Sequence, residues 1–476
     1  MQSQSETIEP SRRRGVTWRS VLIGILLMPI NSYWVVMMGE VRYSGHPTTT
    51  SLFFNVVFSV LVVSAINSMV HRLKPRLALE RSEMIVIYTF LCITSSLAGH
   101  DGIQMLAPAV VCPNWYATPE NNWQELFLNQ APEHWGLQDP VALRGIFEGG
   151  TSLYTVDHIL PLLRPIANWS AFVVLSLVVM VYMNVILRKQ WTENERLSFP
   201  LVEVPLEITR PGTPIFRNRL LWIGLSIAAG IDILNGLHVL YPQVPELHVR
   251  IQDMSRHIKT MPWRGMGWTP ISFYPFAVGL GYMMPQDQLF SCWAFFIWWK
   301  GLRVLSTALG MDVVRGSESV PPYLNEQSFG GYIGLFVFSM WAMRSHLATV
   351  WRAVLGHHVA DENEPARYRT AFWVIVIGLA ALAWLLTAGG MSVAVAVGYL
   401  VIYFVLSVVI TRIRAELGHP VHDLHFAGPD FIIPKLVGTR SLAVKDQVGL
   451  SYLFAFNRAA RSGAAAAWSR FTPMSA

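Results

Sequence analysis

Charged residues are scarce in this chain and absent from several long stretches. Only 14% of its 476 residues are Asp, Glu, Lys or Arg, against about 25% in a soluble globular domain. No charge falls within 20–39, 47–70, 165–187 or 370–411. A bilayer core of about 30 Å is crossed by about 20 apolar residues in a helix. The shortage of charge therefore excludes a soluble globular protein and predicts an all-α, polytopic transmembrane helical bundle.

Cysteine is also scarce, and the motifs of soluble enzymes are missing. Cys92, Cys112 and Cys292 are odd in number and show no CxxC spacing, so we predict neither a disulfide framework nor a thiolate metal site. The sequence contains no GxGxxG after a strand, no GxxxxGK[ST], no HExxH and no GxSxG. The missing phosphate-binding loop argues against an ATP-driven pump in this chain. We expect no cofactor and no enzymatic activity.

The basic residues predict how the chain is oriented. The net charge is +6, but the basic residues form short clusters beside apolar stretches, as topology determinants do. We therefore expect the lipid bilayer as the partner and no nucleic acid. Clusters at 12–14 and 71–81 predict a multi-pass protein of the cytoplasmic membrane with both termini cytoplasmic. The basic segment 241–264 contradicts its expected external position, so either it binds an anion or one span has been miscounted.

The predicted organisation is a cytoplasmic tail, a membrane domain of about ten spans with some helices broken or re-entrant, and a cytoplasmic carboxyl-terminal segment. An alanine run near the end of that last segment forms neither a span nor a cap, which suggests a truncated or altered end. The predicted bounds are 1–17 for the tail, 18–411 for the membrane domain, about 102–164 for an external loop within it, about 188–219 for a cytoplasmic loop, and 412–476 for the last segment.

Polar residues inside the fifth span are the strongest leads to function, because lipid makes them costly. Asp232 lies near the middle of this span, Asn235 is on nearly the same face, and His238 is rotated further round. A carboxylate at that depth can carry a coupled proton. The alternative is an ion pair with an arginine of another helix that fixes the packing. We predict these three residues as candidates for substrate or proton binding.

His100 and Asp101 are further candidates because glycines enclose them. They lie between Gly99 and Gly102, where the third span either breaks or simply ends at the outer surface. A broken helix exposes backbone groups and end dipoles, and transporters bind substrate at such breaks. A simple helix end requires no function, because acids and histidines cost little at an interface.

Two more charged residues lie close to predicted spans. Asp287 follows Pro285 and precedes a span rich in Trp and Phe. Arg344 lies within the eighth predicted span and can pair with Asp232 or Asp287, bind a substrate carboxylate, or reach towards the inner interface. We include both residues among the candidates for substrate or proton binding.

Three histidines after the last span provide a candidate metal site. His419, His422 and His425 recur every third residue, with Asp423 among them, and imidazoles are common zinc ligands. Their spacing drifts around a helix, and no second cluster accompanies them. A metal held here at the inner face would indicate a membrane-embedded, metal-dependent enzyme, which is the alternative to a transporter.

Two charged segments follow spans four and ten. Thr192 and Glu195 have capping-box spacing, which by itself explains a helix start in the first segment. The density of acids and prolines there is nevertheless unusual for a plain cytoplasmic connection. The distinctive residues are Glu193, Asn194, Glu195, Arg196, Phe199 and Pro200 in the first segment, and Arg412, Arg414, Glu416, Gly418 and Pro420 in the second.

Both segments resemble parts of the oligopeptide transporter superfamily, and more closely an uncharacterised family of bacterial membrane proteins that we associate with it. The resemblance implies proton-driven transport of peptides or metal chelates, although this chain has fewer predicted spans than is typical of the superfamily. We therefore predict a secondary transporter of a small polar solute that works by alternating access around a midplane site, with Asp232 as the proton carrier. Besides the metal-dependent enzyme, a non-transporting subunit of a membrane complex remains an alternative. The oligomeric state is not predicted.

Overall fold

The computed structural model describes residues 16–43, 45–100, 102–210, 214–311, 323–362, 364–419 and 428–459. These residues are mostly helical, with one two-stranded sheet. Seven helices among them are long and apolar enough to cross a membrane, or eight if one bent pair is a single span. The all-α polytopic bundle is therefore confirmed. The described residues provide fewer crossing helices than the sequence predicted.

The helices of the first half include one discontinuous pair and one very long helix. In chain order they are α1 (Trp18–Val36), α2 (Phe54–Leu73), α3 (Arg81–Ala98), α4 (Ile103–Trp115), α5 (Trp123–Leu126), α6 (Pro140–Phe147), α7 (Val156–Lys189), α8 (Pro200–Ile208) and α9 (Arg219–Leu240).

The second half begins with an antiparallel pair of short strands and continues with helices. In chain order these are β1 (Gln252–Asp253), β2 (Pro270–Ile271), α10 (Pro275–Tyr282), α11 (Gln286–Ala308), α12 (Leu324–Ala342), α13 (Arg344–Val354), α14 (Tyr368–Ala388), α15 (Val393–Leu417), α16 (Pro429–Val437) and α17 (Val444–Ala459).

Helices α1 and α3 run parallel in one register. The Arg19 guanidinium donates to the Glu83 carboxylate at 2.7 Å, and the Asn31 amide donates to the Ser95 hydroxyl at 2.8 Å. Each contact joins residues 64 positions apart. Glu83 also completes a capping box at the start of α3, which satisfies backbone N–H groups that a helix start leaves unpaired. Helix α2 provides the return crossing between them.

Helix α2 begins at Phe54, seven residues later than the apolar stretch from Pro47 suggests. Residues 47–53 are non-helical, yet Thr48, Ser51 and Phe53 are fully buried. Non-helical backbone at membrane depth is tolerated only where protein buries it or water reaches it. An apolar stretch predicts burial rather than conformation, which is why the sequence placed the helix start too early.

Helices α7 and α14 pack antiparallel at the centre. Gly378 of α14 faces Val179 of α7 so closely that an added Cβ would lie 2.5 Å from the valine side chain. Helix α7 has 34 residues and is about 51 Å long. It starts nine residues before the predicted Pro165, because Pro161 and Pro165 lie within its first turns and do not end it.

Helix α17 lies alongside the first half of α15, and the two run parallel. The Ser392 backbone N–H donates to Asp446 at 2.6 Å, and the Tyr399 hydroxyl donates to the Leu453 carbonyl at 3.3 Å. Both contacts join residues 54 positions apart. The sequence placed the whole of 412–476 beyond the end of α15. The structure instead returns the chain and inserts α17 into the bundle.

An aromatic cluster joins the connection between α4 and α7 to this bundle. The Trp169 indole N–H donates to the Trp135 carbonyl at 3.0 Å. Trp135 is fully buried, and its ring contacts those of Trp169 and Tyr452. Phe456 packs against Trp169 and Phe172. Aromatic pairs of this kind each contribute about 1 kcal/mol beyond the burial of their area.

Helices α9 to α12 form a peripheral group. Asn235 is the one buried residue of α9. Helix α10 has eight residues and reaches only about 12 Å, too short to cross a bilayer core of about 30 Å. Helix α11 is held to the preceding segment by Lys300, whose ammonium donates to the carbonyls of Met266 and Trp268.

The two ends of the bundle differ in chemistry. We name one the arginine end, defined by Arg19, Arg188 and Arg412, and the other the loop end, defined by residues 116–155. Helix α8 lies across the arginine end. The Ser64 hydroxyl donates to its last carbonyl, that of Ile208, at 3.0 Å, so α8 connects α2 to the ends of α7 and α15.

Candidate functional site

The third predicted span is a discontinuous helix. Helix α3 ends at Ala98, and α4 begins at Ile103 after a break that includes Gly99 and Gly102. A Cβ on Gly99 would lie 2.5 Å from Thr48, and one on Gly102 would lie 2.4 Å from the Leu97 carbonyl oxygen. A larger residue at either position would clash with these neighbours, so close packing requires glycine at both. Of the two alternatives that the sequence left open, a break rather than a simple helix end is present.

A partly open cavity of about 60 Å³ adjoins this break. Its lining comes from α3, α4, α7, α15 and α17 and is mostly aliphatic. Ser176 is 5% exposed, and its hydroxyl has no hydrogen-bond partner among the described residues. A cavity of this size accommodates a few water molecules. The lining residues are Ile93, Ser96, Leu97, Gly102, Ile103, Leu106, Val173, Ser176, Leu177, Met180, Tyr403 and Phe456.

A second, smaller cavity of about 20 Å³ lies between α7 and α15 on the side of the arginine end. Met180 lines both cavities. Asn184, Ser407 and Thr411 supply the polar groups of the second cavity. The two cavities follow one line from the break towards the arginine end.

A buried polar triad holds the first three helices together beside the break. The Asn55 amide of α2 donates to the Asn31 carbonyl oxygen of α1 and to the Ser95 hydroxyl of α3, both at 2.8 Å. All three side chains are at most 2% exposed. Lipid offers no hydrogen bonds, so each polar group here depends on the other two.

We expect Asn55→Ala to lower the free energy of unfolding in detergent by about 2 kcal/mol, because Asn31 and Ser95 would lose a buried partner. Ser59→Ala, one turn along α2, removes a hydroxyl that bonds only its own helix and should cost less than about 0.5 kcal/mol. Chemical denaturation of both variants measures the difference. Equal losses would show that the triad contributes no more than an ordinary helix hydroxyl.

The two charged segments singled out in the sequence meet at the arginine end. The Phe199 backbone N–H donates to the Ala415 carbonyl at 2.8 Å, and the Ser198 hydroxyl donates to the Glu416 carbonyl at 2.7 Å. Arg196 and Phe199 have φ angles of 52° and 45°, the left-handed region that non-glycine residues seldom adopt. The first segment thus follows a strained path that packs against the end of α15.

An ion pair connects the same two segments. The Arg412 guanidinium lies 2.6 Å from the Glu195 carboxylate, and these side chains are 9% and 18% exposed. The Gln190 amide also donates to Glu195, at 2.8 Å, and Asn194 donates to Gln190. Glu195 therefore interacts with α15 and with its own chain, and it does not form the capping box that its spacing from Thr192 suggests.

The other distinctive residues of these two segments differ in their burial and in their contacts. Glu193 is exposed, and Pro200 is buried at the first position of α8. Gly418 has a φ of 61°, and a Cβ there would lie 2.4 Å from Pro200. Arg414 is 1% exposed and donates to the Ser51 carbonyl of the buried segment 47–53 at 3.0 Å. This cation therefore reaches from the second charged segment into the interior of the bundle.

Of the three candidate metal ligands, the structure describes His419. Burial and the nearby Arg414 cation lower the pKa of His419 to about 4, so its ring is neutral at physiological pH, the form that binds metal. His422 and His425 lie outside the described residues, as does Pro420. Within the described part of the chain, no group of three or more His, Cys, Asp or Glu residues could hold a metal ion.

The three candidates on α9 do not converge on one site. Asp232 is exposed and has no hydrogen-bond or ion-pair partner among the described residues. The Asn235 amide instead pairs with the backbone of Leu247. His238 contacts the Val244 carbonyl and lies 3.8 Å from Glu246. Asn235 and His238 therefore secure the loop after α9, and none of the three lines either cavity.

The remaining candidates are distributed over the molecule. Asp287 is exposed in the first turn of α11. Arg344 is exposed at the 66° bend between α12 and α13, where its guanidinium lies over Trp341. In the described structure Arg344 pairs with neither Asp232 nor Asp287. His100 lies in the break itself, whereas Asp101 is outside the described residues.

Sequence reasoning missed the uncharged polar groups. Asn55, Ser95 and Ser176 are all buried, and the search for charge within spans overlooked them. Asn31 lies within the first uncharged stretch and was not chosen as a candidate. Amide and hydroxyl side chains that recur within apolar helices could have indicated these residues. Such groups in membranes usually contact one another.

The comparisons with known proteins assign a family but no activity. The chain belongs to a family of unknown function, DUF6785, whose family model matches residues 10–469. No curated protein matches the chain. No solved structure matches it either.

Proposed function

We propose that this member of a family of unknown function is a secondary transporter that couples a small polar solute, such as a peptide or a metal chelate, to protons. The supporting observation is the discontinuous α3–α4 helix, whose break adjoins a partly open cavity in the bundle. Transporters commonly bind solutes where a helix is interrupted near the middle of the membrane. The resemblance of the two charged segments to the oligopeptide transporter superfamily agrees with this proposal.

The small cavity favours an alternating-access mechanism in which this structure is a closed conformation. The cavity of about 60 Å³ is smaller than a peptide, so binding requires α4 or α17 to move away from α7. Once exposed, the first turn of α4 would present free backbone N–H groups and the positive end of its dipole to a solute carboxylate. We assign the arginine end to the cytoplasm, because basic clusters mark the inner side.

Ligand binding is the first test of this proposal. Purified protein in detergent would be heated with dipeptides, tripeptides, amino acids and metal chelates in turn. A ligand that binds only the folded state stabilises it in proportion to the logarithm of its concentration above Kd. We expect a saturable rise in Tm with one class. No shift with any class, in a sample that melts cooperatively, would contradict a solute site.

Filling the cavity tests where the solute binds. Ser176→Leu places an isobutyl group where the serine hydroxyl lines the cavity, so we expect trialanine exchange in proteoliposomes to fall about tenfold or more. Ser170→Leu makes the same change at an exposed position of the same helix and should leave exchange unchanged. If both variants exchange trialanine like the unmodified protein, the cavity is not on the transport path.

A further inference from the structure

We propose that the coupled proton binds at His46 and His100 with Glu40, next to the break in the discontinuous helix. The two imidazole rings stack with centroids 4.2 Å apart. The His100 Nδ1 atom lies 3.4 Å from the Glu40 carboxylate. This inference rests on the proposed transport function and names the residues that would couple it to protons.

Histidine suits this role because imidazole changes charge between about pH 5 and 8. Two imidazolium rings at this separation repel each other, so the pair accepts one proton far more readily than a second. The Glu40 carboxylate provides the counter-charge for that proton. The cluster therefore alternates between two states that differ by one proton.

The cluster is only partly covered by the protein. The side chains of His100 and Glu40 are 20% and 43% exposed. Tyr43 packs its ring edge-on against His46. Arg42, the cation closest to Glu40 in sequence, is exposed and forms no ion pair within the described structure. Asp101 lies outside the described residues and has no part in the proposal.

The position of the cluster connects the proton to the solute cavity. His46 begins the segment that continues to Thr48, and Thr48 packs directly on Gly99. His100 is in the break, and Gly102, at its far end, lines the cavity. A proton that draws His100 towards Glu40 therefore acts on the same few residues as a solute in the cavity. By linkage, each ligand changes the affinity for the other.

The transport test separates coupling from movement of the solute. Proteoliposomes would be assayed for gradient-free exchange of labelled trialanine and for its accumulation under an inward proton gradient. We expect His100→Gln and Glu40→Gln to lower accumulation about tenfold while exchange persists. His248→Gln removes a histidine that pairs with Glu246 on the peripheral group and should affect neither. Accumulation that survives in His100→Gln but is lost in Asp232→Asn would overturn the proposal in favour of Asp232.

A spectroscopic test needs no solute, so it still applies if the protein does not transport trialanine. In detergent, ring-labelled histidine would be titrated by NMR, and the His100 signal identified by its loss in His100→Gln. We expect the pH dependence of the His100 signal to change in both Glu40→Gln and His46→Gln, because each substitution removes a group that its ring contacts. His248→Gln is the control and should leave it unchanged. A His100 signal that is insensitive to both substitutions would overturn the proton site, whatever the transport assay shows.

Discussion

Glu195→Gln is expected to lower the free energy of unfolding by about 3 kcal/mol, because it leaves Arg412 without a close counter-charge in a largely buried setting. Two of the guanidinium nitrogens of Arg412 are already buried without a hydrogen bond in the described structure. Its remaining carboxylate neighbour, Glu416, is 3.7 Å away and 44% exposed, which is too solvated to compensate. Denaturant titration in detergent measures the loss.

Two further variants separate the loss of this ion pair from the general effect of neutralising a carboxylate. Glu207→Gln neutralises a carboxylate that is 44% exposed and pairs with Arg210 on the same end of the protein, so it should change stability by about 0.5 kcal/mol or less. Adding Arg412→Gln to Glu195→Gln removes the stranded cation and should restore much of the loss. If the double variant is as unstable as the sum of the single ones, the two residues are not energetically coupled.

Gly418→Ala is the second large effect. Its left-handed φ of 61° costs an alanine about 1 kcal/mol. The new methyl group would also lie 2.4 Å from the Pro200 ring. Neither partner can yield easily, because Pro200 starts α8 and Gly418 ends α15. We expect a total loss of about 3 kcal/mol, measured by denaturant titration in detergent.

Gly390→Ala separates the two contributions. Gly390 has a φ of 89° with nothing within 4 Å of an added Cβ, so its substitution should cost only the backbone strain of about 1 kcal/mol. The difference between the two variants estimates the contact between the charged segments. Equal losses would mean that α8 shifts freely away from α15, and that their packing contributes little.

The spans were predictable because a bilayer imposes one strong rule. Long uncharged stretches identified α1, α7, α14 and α15. Where this rule failed, an uncharged stretch was buried as non-helical backbone instead of forming a helix. Residues 47–53 carry no charge, yet they form turns and bends that are largely buried, and the Ser51 carbonyl accepts a hydrogen bond from the buried Arg414. Local sequence does not distinguish these cases, because the partner lies more than 300 positions away.

The candidate site was predicted less well, for a related reason. Intramembrane charge indicated Asp232, which is exposed on α9, whereas the polar contacts beside the break come from the amides and hydroxyl of Asn31, Asn55 and Ser95. Their importance depends on which helices pack together, and the parallel register of α1 and α3 cannot be read from composition. The two charged segments were recognised as distinctive, yet only the fold shows that they contact each other.

The parallel pairing of α17 with α15 has a consequence for how the protein is made. Phe456 of α17 closes one wall of the cavity, whereas its other walls come from residues synthesised much earlier. During translation the groove between α4 and α7 therefore stays unfilled until α17 has been synthesised. Until then, that groove presents Ser176 and the open break to lipid or to an insertion factor.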